Sequence, residues 1–174
     1  MKRLSFYSFL CAVLLMSVNV FGQFAGGNGT LANPYQVATA SQFRAIANSD
    51  AFFVQTADIT FDESTDFPKI ESFSGIYDAQ GYKIIAQSDK TKPLFGTVRG
   101  TITRLIVDMG EYTVTVRNEG AILCTDLNGG TISYCNIQGN VTGATAGGIV
   151  NTMKSGLVEY CCFTGNVRAS GVLV

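Results

Sequence analysis

The chain has 174 residues, 12 basic against 13 acidic side chains, a formal net charge of −1 and no histidine. That balance offers no basic stripe for nucleic acid. The missing histidine excludes Ser-His-Asp and Cys-His nucleophilic machinery and His-bearing zinc or iron centres.

Lys2 and Arg3 open a short basic region, and an apolar run follows from Leu4 to Val20. Val20-Phe21-Gly22 then sets small residues three before and one before a cut, so 1–22 reads as a secretory signal peptide. The densely apolar part is too short for a membrane anchor, and no stop-transfer flank follows it. The expected product is secreted or held at the cell surface, starts at Gln23 and has no membrane span once the signal is cut. Residues 23–174 carry a net charge of −3, enough chain for one ordinary domain with a core. Low charge with plentiful Gly, Val, Ile and Thr points to a folded, β-rich chain.

Residues 23–51 read as a lead-in with a strand at Tyr35-Gln36-Val37, then a helix over "TASQFRAIAN". Thr39 and Gln42 are spaced as a capping box, with Ser41 as a competing cap. Phe43, Ile46 and Ala47 then share one helical face. From 52 to 174 the chain is strand and turn, in apolar runs of a few residues punctuated by Gly or Asn.

The strongest signal is a repeat. "GGTISYCNIQGNV" (129–141) returns as "SGLVEYCCFTGNV" (155–167), at an offset of 26. A looser copy, "GTITRLIVDMG", precedes it by 30, and a second unit recurs as "GAIL" at Gly120, "GGIV" at Gly147 and "GVLV" at Gly171. Self-similarity at such a period, built of short strands, predicts a β-solenoid. The fold class expected is all-β: a right-handed parallel β-helix of pectin-lyase-like architecture with a short N-terminal capping helix. Equivalent residues then stack about 4.8 Å apart, so Val158, Cys161 and Phe163 cover Ile132, Cys135 and Ile137. Gly139/Gly165 and Asn140/Asn166 become corners, where positive φ and amide ladders are easiest. The helix would seal the first coil with Phe43 and Ile46.

Several segments carry a resemblance. "GGNGTLANPYQVATASQFRAIAN", "FFVQTADITF", "FSGIYDAQGYKI" and "LFGTVRGTITRLIV" are similar to successive segments of bacterial surface proteins with GLUG-motif repeats, and the copies at 129 and 155 resemble the repeat itself. Arg104, Tyr134 and Tyr160 stand where that repeat favours Asn. The resemblance covers nearly all of 24–174. It implies a β-helical region and an adhesin-like role, mostly in bacteria and often in Bacteroidetes.

Four cysteines fall after the signal: Cys124, Cys135, Cys161 and Cys162. Cys135 and Cys161 are repeat equivalents, close enough for a disulfide or for a buried thiol ladder, and the ladder is favoured. Cys162 points the opposite way and is either exposed or the partner of Cys124. Tyr134 and Tyr160 also stack, as ladder packing or as an aromatic strip for sugar. Asp58, Asp62, Glu63 and Asp66 form an acidic cluster that reads either as a calcium site or, preferably, as a solvated loop. Asp78 and Asp108, with Lys83 or Arg104 beside Asp108, are the only set that suggests a glycosidase or lyase. No pattern calls for a cofactor.

The expected function is a non-enzymatic interaction protein of adhesin type that binds a surface glycan or a host or matrix protein through a β-helix face. A carbohydrate-active β-helix enzyme and a structural spacer of a larger surface protein are the alternatives. The chain stops inside a repeat at "SGVLV", so a fragment, further coils or a second chain over that end is expected.

Overall fold

The computed structural model describes residues 23–47 and 49–171. The signal read over 1–22 and the last three residues of "GVLV" lie outside the described residues. In chain order the elements are β1 (Tyr35–Val37), α1 (Ala40–Arg44), β2 (Phe52–Gln55), β3 (Ile59–Phe61), β4 (Ile70–Phe73), β5 (Ile76–Asp78), β6 (Lys83–Ala86) and β7 (Phe95–Val98). They continue as β8 (Thr101–Thr103), β9 (Ile106–Thr115), β10 (Glu119–Ala121), β11 (Cys124–Ser133), β12 (Asn136–Gly143), β13 (Thr145–Gly147), β14 (Val150–Glu159), β15 (Cys162–Thr164) and β16 (Val167–Ala169).

These strands form a parallel β-solenoid. The first sheet runs β1-β2-β5-β8-β11-β7-β4, with β14 on the other edge of β11. The second climbs β3-β6-β9-β12-β15, with β16 beside β12, and the third pairs β10 with β13. A chain that alternates short strands with single turning residues has no room for crossover helices. Each coil therefore pairs with the next in the same direction.

The written repeat is this stacking. Ile132 lies beside Val158, Ile137 beside Phe163 and Val141 beside Val167. The looser copy is the coil beneath, with Ile102 against Ile132 and Val107 against Ile137. The "GAIL"/"GGIV" match is shifted by one residue: Gly120 pairs with Ala146, and Ala121 with Gly147. The ladder keeps the 26-residue period here, whereas matching glycines to each other had implied 27. Gly147 is glycine for a reason of its own, since a Cβ there would sit 1.9 Å from the Val150 carbonyl oxygen.

The interior is filled by one residue per coil at each level. Phe73, Val98 and Leu127 form one such row, and Tyr77, Ile102 and Ile132 another; all six are buried. Tyr77 brings a hydroxyl into this core and donates it to Gln55 Oε1 at 2.8 Å. Gln55 in turn donates Nε2 to the carbonyls of Ala57 and Lys83, both at 2.8 Å, so these buried polar groups are satisfied.

The helix is one turn of five residues, shorter than the "TASQFRAIAN" run predicted. Thr39 is its N-cap, and its hydroxyl accepts from Gln42 N at 3.2 Å. Gln42 reaches back to Ala38 N at 2.8 Å rather than to the cap residue itself. The turn places Phe43 in the core, edge-on to Phe61, Tyr77 and Phe95 at 6.0, 5.5 and 5.7 Å between centroids. A run this short gains little from helical hydrogen bonds alone, and the ring contacts of Phe43 hold it in place.

Candidate functional site

The corner where the first sheet hands over to the second is the most unusual surface of the molecule. Thr103, Ser133 and Glu159 are in register at the ends of their strands. The next strands begin only three residues later, at Ile106, Asn136 and Cys162. So short a link must turn on its first residue. Arg104, Tyr134 and Tyr160 do so with φ of 57°, 54° and 51°. The left-handed region costs a bulky residue roughly 1–2 kcal/mol, and Asn would bear it more easily. The following residues, Leu105, Cys135 and Cys161, turn inward. The turning residue is thereby sent outward.

Tyr134 and Tyr160 consequently stack in the open. Their rings lie 4.9 Å apart at 9°. They are 58% and 72% exposed. Parallel rings spend their faces on each other. Solvent meets the ring edges, the two hydroxyls and the outer face of Tyr160. The strip expected from the repeat is therefore also a packed ladder.

Below them the corner is ionic. Arg104 pairs with Asp78 through both ends of its guanidinium, Nε meeting Oδ1 at 2.9 Å and Nη2 meeting Oδ2. Asp78 raises the Arg104 pKa, chiefly through these hydrogen bonds. Asp108 pairs instead with Lys83, Nζ to Oδ2 at 3.4 Å, and accepts from Gly110 N at 3.2 Å. The two carboxylates named as an acid–base pair belong to different sheets, and each is engaged with its own cation. Lys83 does stand beside Asp108, as expected; Arg104 does not, because its side chain is drawn to Asp78.

The acidic loop has an unexpected organiser. Lys90 is buried, and its ammonium donates to the carbonyls of Asp62 and Thr65 at 3.0 and 2.8 Å and to Ser88 Oγ at 2.8 Å. Burial lowers its pKa, opposed by the charges of Asp66 and Asp62. The carboxylates of Asp58, Asp62 and Asp66 are spent on backbone and hydroxyl donors. Asp62 Oδ1 accepts from Ser64 N at 3.0 Å and Thr65 Oγ1 at 2.9 Å, and Asp58 Oδ1 from Lys83 N at 2.8 Å. The Ser64 hydroxyl, which donates to Asp62 Oδ1 at 2.7 Å, and after it the Thr65 hydroxyl hold the exposed Asp62 carboxyl below its ordinary pKa. Among the described residues no three His, Cys, Asp or Glu side chains gather as a metal site. The loop is pinned by an internal cation. The sequence gives no sign of it, because the carbonyls that hold Lys90 lie about one coil earlier.

The four cysteines among the described residues are free thiols. Cys135 and Cys161 stack in adjacent coils and donate inward, Cys135 to the Ser133 carbonyl at 3.2 Å and Cys161 to that of Glu159 at 3.1 Å. Burial, and after it the nearby Cys161 thiol, pushes the Cys135 thiol up to about 12. This is the ladder, not the disulfide. Cys162 is exposed on the second sheet while Cys124 is buried on the first, so the pairing of those two does not occur. The amide corner is also present. Gly139 and Gly165 have φ of 149° and 147°, and Asn166 donates Nδ2 to Asn140 Oδ1 at 3.1 Å.

No helix among the described residues is long and apolar enough to cross a membrane. No family model matches the chain, and no curated protein or solved structure shows significant similarity to it.

Proposed function

We propose that this chain is a secreted or cell-surface binding protein of adhesin type, which holds a glycan or a protein on the outside of its coils without catalysing a reaction. The observation that carries this reading is the Tyr134–Tyr160 ladder. Two large aromatic side chains occupy strained left-handed positions and remain mostly in solvent. Exposed tyrosines offer apolar area with a hydroxyl at low entropic cost, which suits recognition. The likeness to GLUG-repeat surface proteins and the signal-like pattern of 1–22 support the same reading. The ion pairs of Asp78 and Asp108 argue against using either carboxylate as a free acid or base.

A screen of residues 23–174 against glycans and matrix proteins tests it. The Tyr134→Ala/Tyr160→Ala variant is expected to bind its ligand about tenfold more weakly while keeping its circular-dichroism spectrum. Unchanged binding would remove the aromatic strip from the account. Release of reducing ends or unsaturated sugar from pectin-like polymers would favour a carbohydrate-active enzyme instead.

A second reading, a spacer that stacks on further coils or on another chain, rests on a different observation. Met153, Leu157 and Val167 of the outermost described strands are exposed apolar residues, beside strand edges that pair with no other strand among the described residues. A surface of that kind accepts one more parallel coil.

A further inference from the structure

At the opposite edge of the first sheet, where its strands begin, three loops from successive coils enclose a groove of about 570 Å³. They precede β4, β7 and β10, so the groove runs along the stacking direction. Three cations line it: Lys69, Lys92 and Arg117. Lys69 is paired with Glu71 at 3.4 Å. Lys92 and Arg117 are exposed, and no ion pair or hydrogen bond joins either side chain to a described residue. Most other basic side chains among the described residues are engaged: Arg44 with the Asp66 carbonyl, Lys83 with Asp108, Arg99 with Ser72, Arg104 with Asp78 and Lys154 with Asp126. Lys90 is held by carbonyls, and Arg168 lies on the second sheet. The two unengaged cations of this side of the molecule thus share one concave surface, in a chain whose overall charge is −1.

The rest of the lining suits a sugar better than a bare anion. Glu119 and Asn118 bring an acceptor and an amide to the same wall, and Pro93 gives a rigid apolar floor. Hydroxyls need acceptors and donors, the ring's C–H face needs an apolar surface, and a ring carboxylate needs cations. A guanidinium meets a carboxylate through two parallel hydrogen bonds, and an ammonium adds a point charge.

We propose that this groove binds a carboxylate-bearing saccharide, with Arg117 and Lys92 on the carboxylate and Glu119 and Asn118 on the hydroxyls. The proposal goes beyond the reading above: it assigns a second binding surface, away from the tyrosine ladder, and the chemistry of what that surface takes. The overall negative charge disfavours any anion, so binding depends on these local cations and weakens with salt.

Titration of residues 23–174 with polygalacturonate oligomers, 3′-sialyllactose, neutral galactan and polyphosphate tests it. The expected result is binding of one carboxylated sugar at least tenfold tighter than galactan or polyphosphate; which of the two binds separates a uronate from a sialate source. Lys92→Ala/Arg117→Ala should lose that binding by tenfold or more with an unchanged circular-dichroism spectrum, and Arg117→Lys should fall between. Equal binding by the double variant, or equal binding of galactan, overturns the groove and leaves glycan binding standing. Polyphosphate held as tightly as the sugars reduces the groove to unspecific charge and also overturns it. No binding of any of these saccharides overturns the groove, whereas the reading above falls only if the screen against glycans and matrix proteins also finds no ligand.

Discussion

The inner coil of β11 and β12 and the outer coil of β14 to β16 hold equivalent positions at the same register, several with the same residue, and differ in what lies above them. Val141 is 1% exposed and its partner Val167 is 46% exposed. Cys135 is buried while Cys161 is half-buried. Asn140 is bonded on both sides, and Asn166 bonds only downward among the described residues. Residue type and register are held fixed across these pairs. The contrast therefore isolates one variable, the cover supplied by a neighbouring coil. A solenoid residue becomes core only when the next coil arrives.

The largest test of this contrast is the valine pair. Val141→Ala removes two methyl groups from a filled interior and leaves a cavity, which is expected to cost about 2 kcal/mol. Val167→Ala, at the same position one coil out, is expected to cost under about 0.5 kcal/mol. Urea unfolding of the two variants measures both. Equal losses would mean that the outer coil is covered in solution, by a partner or a second copy, and the ratio of the two losses reports how completely.

The thiols sharpen the same comparison through pH. Cys162 should react with a thiol reagent first, Cys161 more slowly, and Cys124 and Cys135 only on unfolding, because only the exposed thiolate is an effective nucleophile. Burial pushes Cys124 and Cys135 up to about 12 in the fold. In the unfolded chain they titrate near their ordinary value of about 8.5. Below that value both states hold the proton and the contribution to stability is fully present. As pH rises toward 12 the unfolded chain sheds protons that the fold retains, so stability falls. Tyr77, raised by burial, contributes to the upper part of the same window. The Cys124→Val/Cys135→Val variant should lose stability less steeply between about pH 9 and 12 than the wild-type chain. An identical slope would mean that neither thiol is held protonated.

These pairs also mark what the amino-acid order makes legible. A residue whose neighbour is its own repeat can be read from self-similarity, and so the coil stack, the Cys135/Cys161 ladder, the Tyr134/Tyr160 stack and the Asn140/Asn166 corner all follow from one offset. Outward projection of the tyrosines follows too, once a corner of one residue must turn at positive φ. Contacts between unlike coils leave no such trace. Lys90 is held by carbonyls of a loop about one coil earlier, and backbone oxygens have no letter in a sequence. Lys92 and Arg117 come from loops that do not repeat. In the sequence Arg104 lies within plausible reach of two carboxylates, and only the side-chain geometry chooses Asp78. The "GAIL"/"GGIV" shift is a milder case. Two glycines with different reasons to be glycine were matched as equivalents, while the hydrogen-bond ladder counts residues and ignores their names.

The smallest expected effect separates cover from hydrogen bonding. Asn140 donates Nδ2 to the Glu111 carbonyl at 2.8 Å and accepts from both Asn166 N and Asn166 Nδ2 at 3.1 Å. Asn140→Ala breaks all three and strands the Glu111 carbonyl and one Asn166 backbone N–H at a corner that solvent reaches only in part. The expected cost is about 1 kcal/mol. Asn166→Ala loses only the Nδ2 contact, and its backbone N–H keeps its bond to Asn140. Here about 0.5 kcal/mol or less is expected, since water replaces the lost donor at an exposed position. In the double variant the two losses should fall short of their sum, because the shared bond is counted once. If Asn166→Ala instead proves as costly as Asn140→Ala, the outer amide is bonded on its upper side as well. The amide corner would then show the same added cover as equal losses in the valine pair, from a group that reports hydrogen bonding rather than packing.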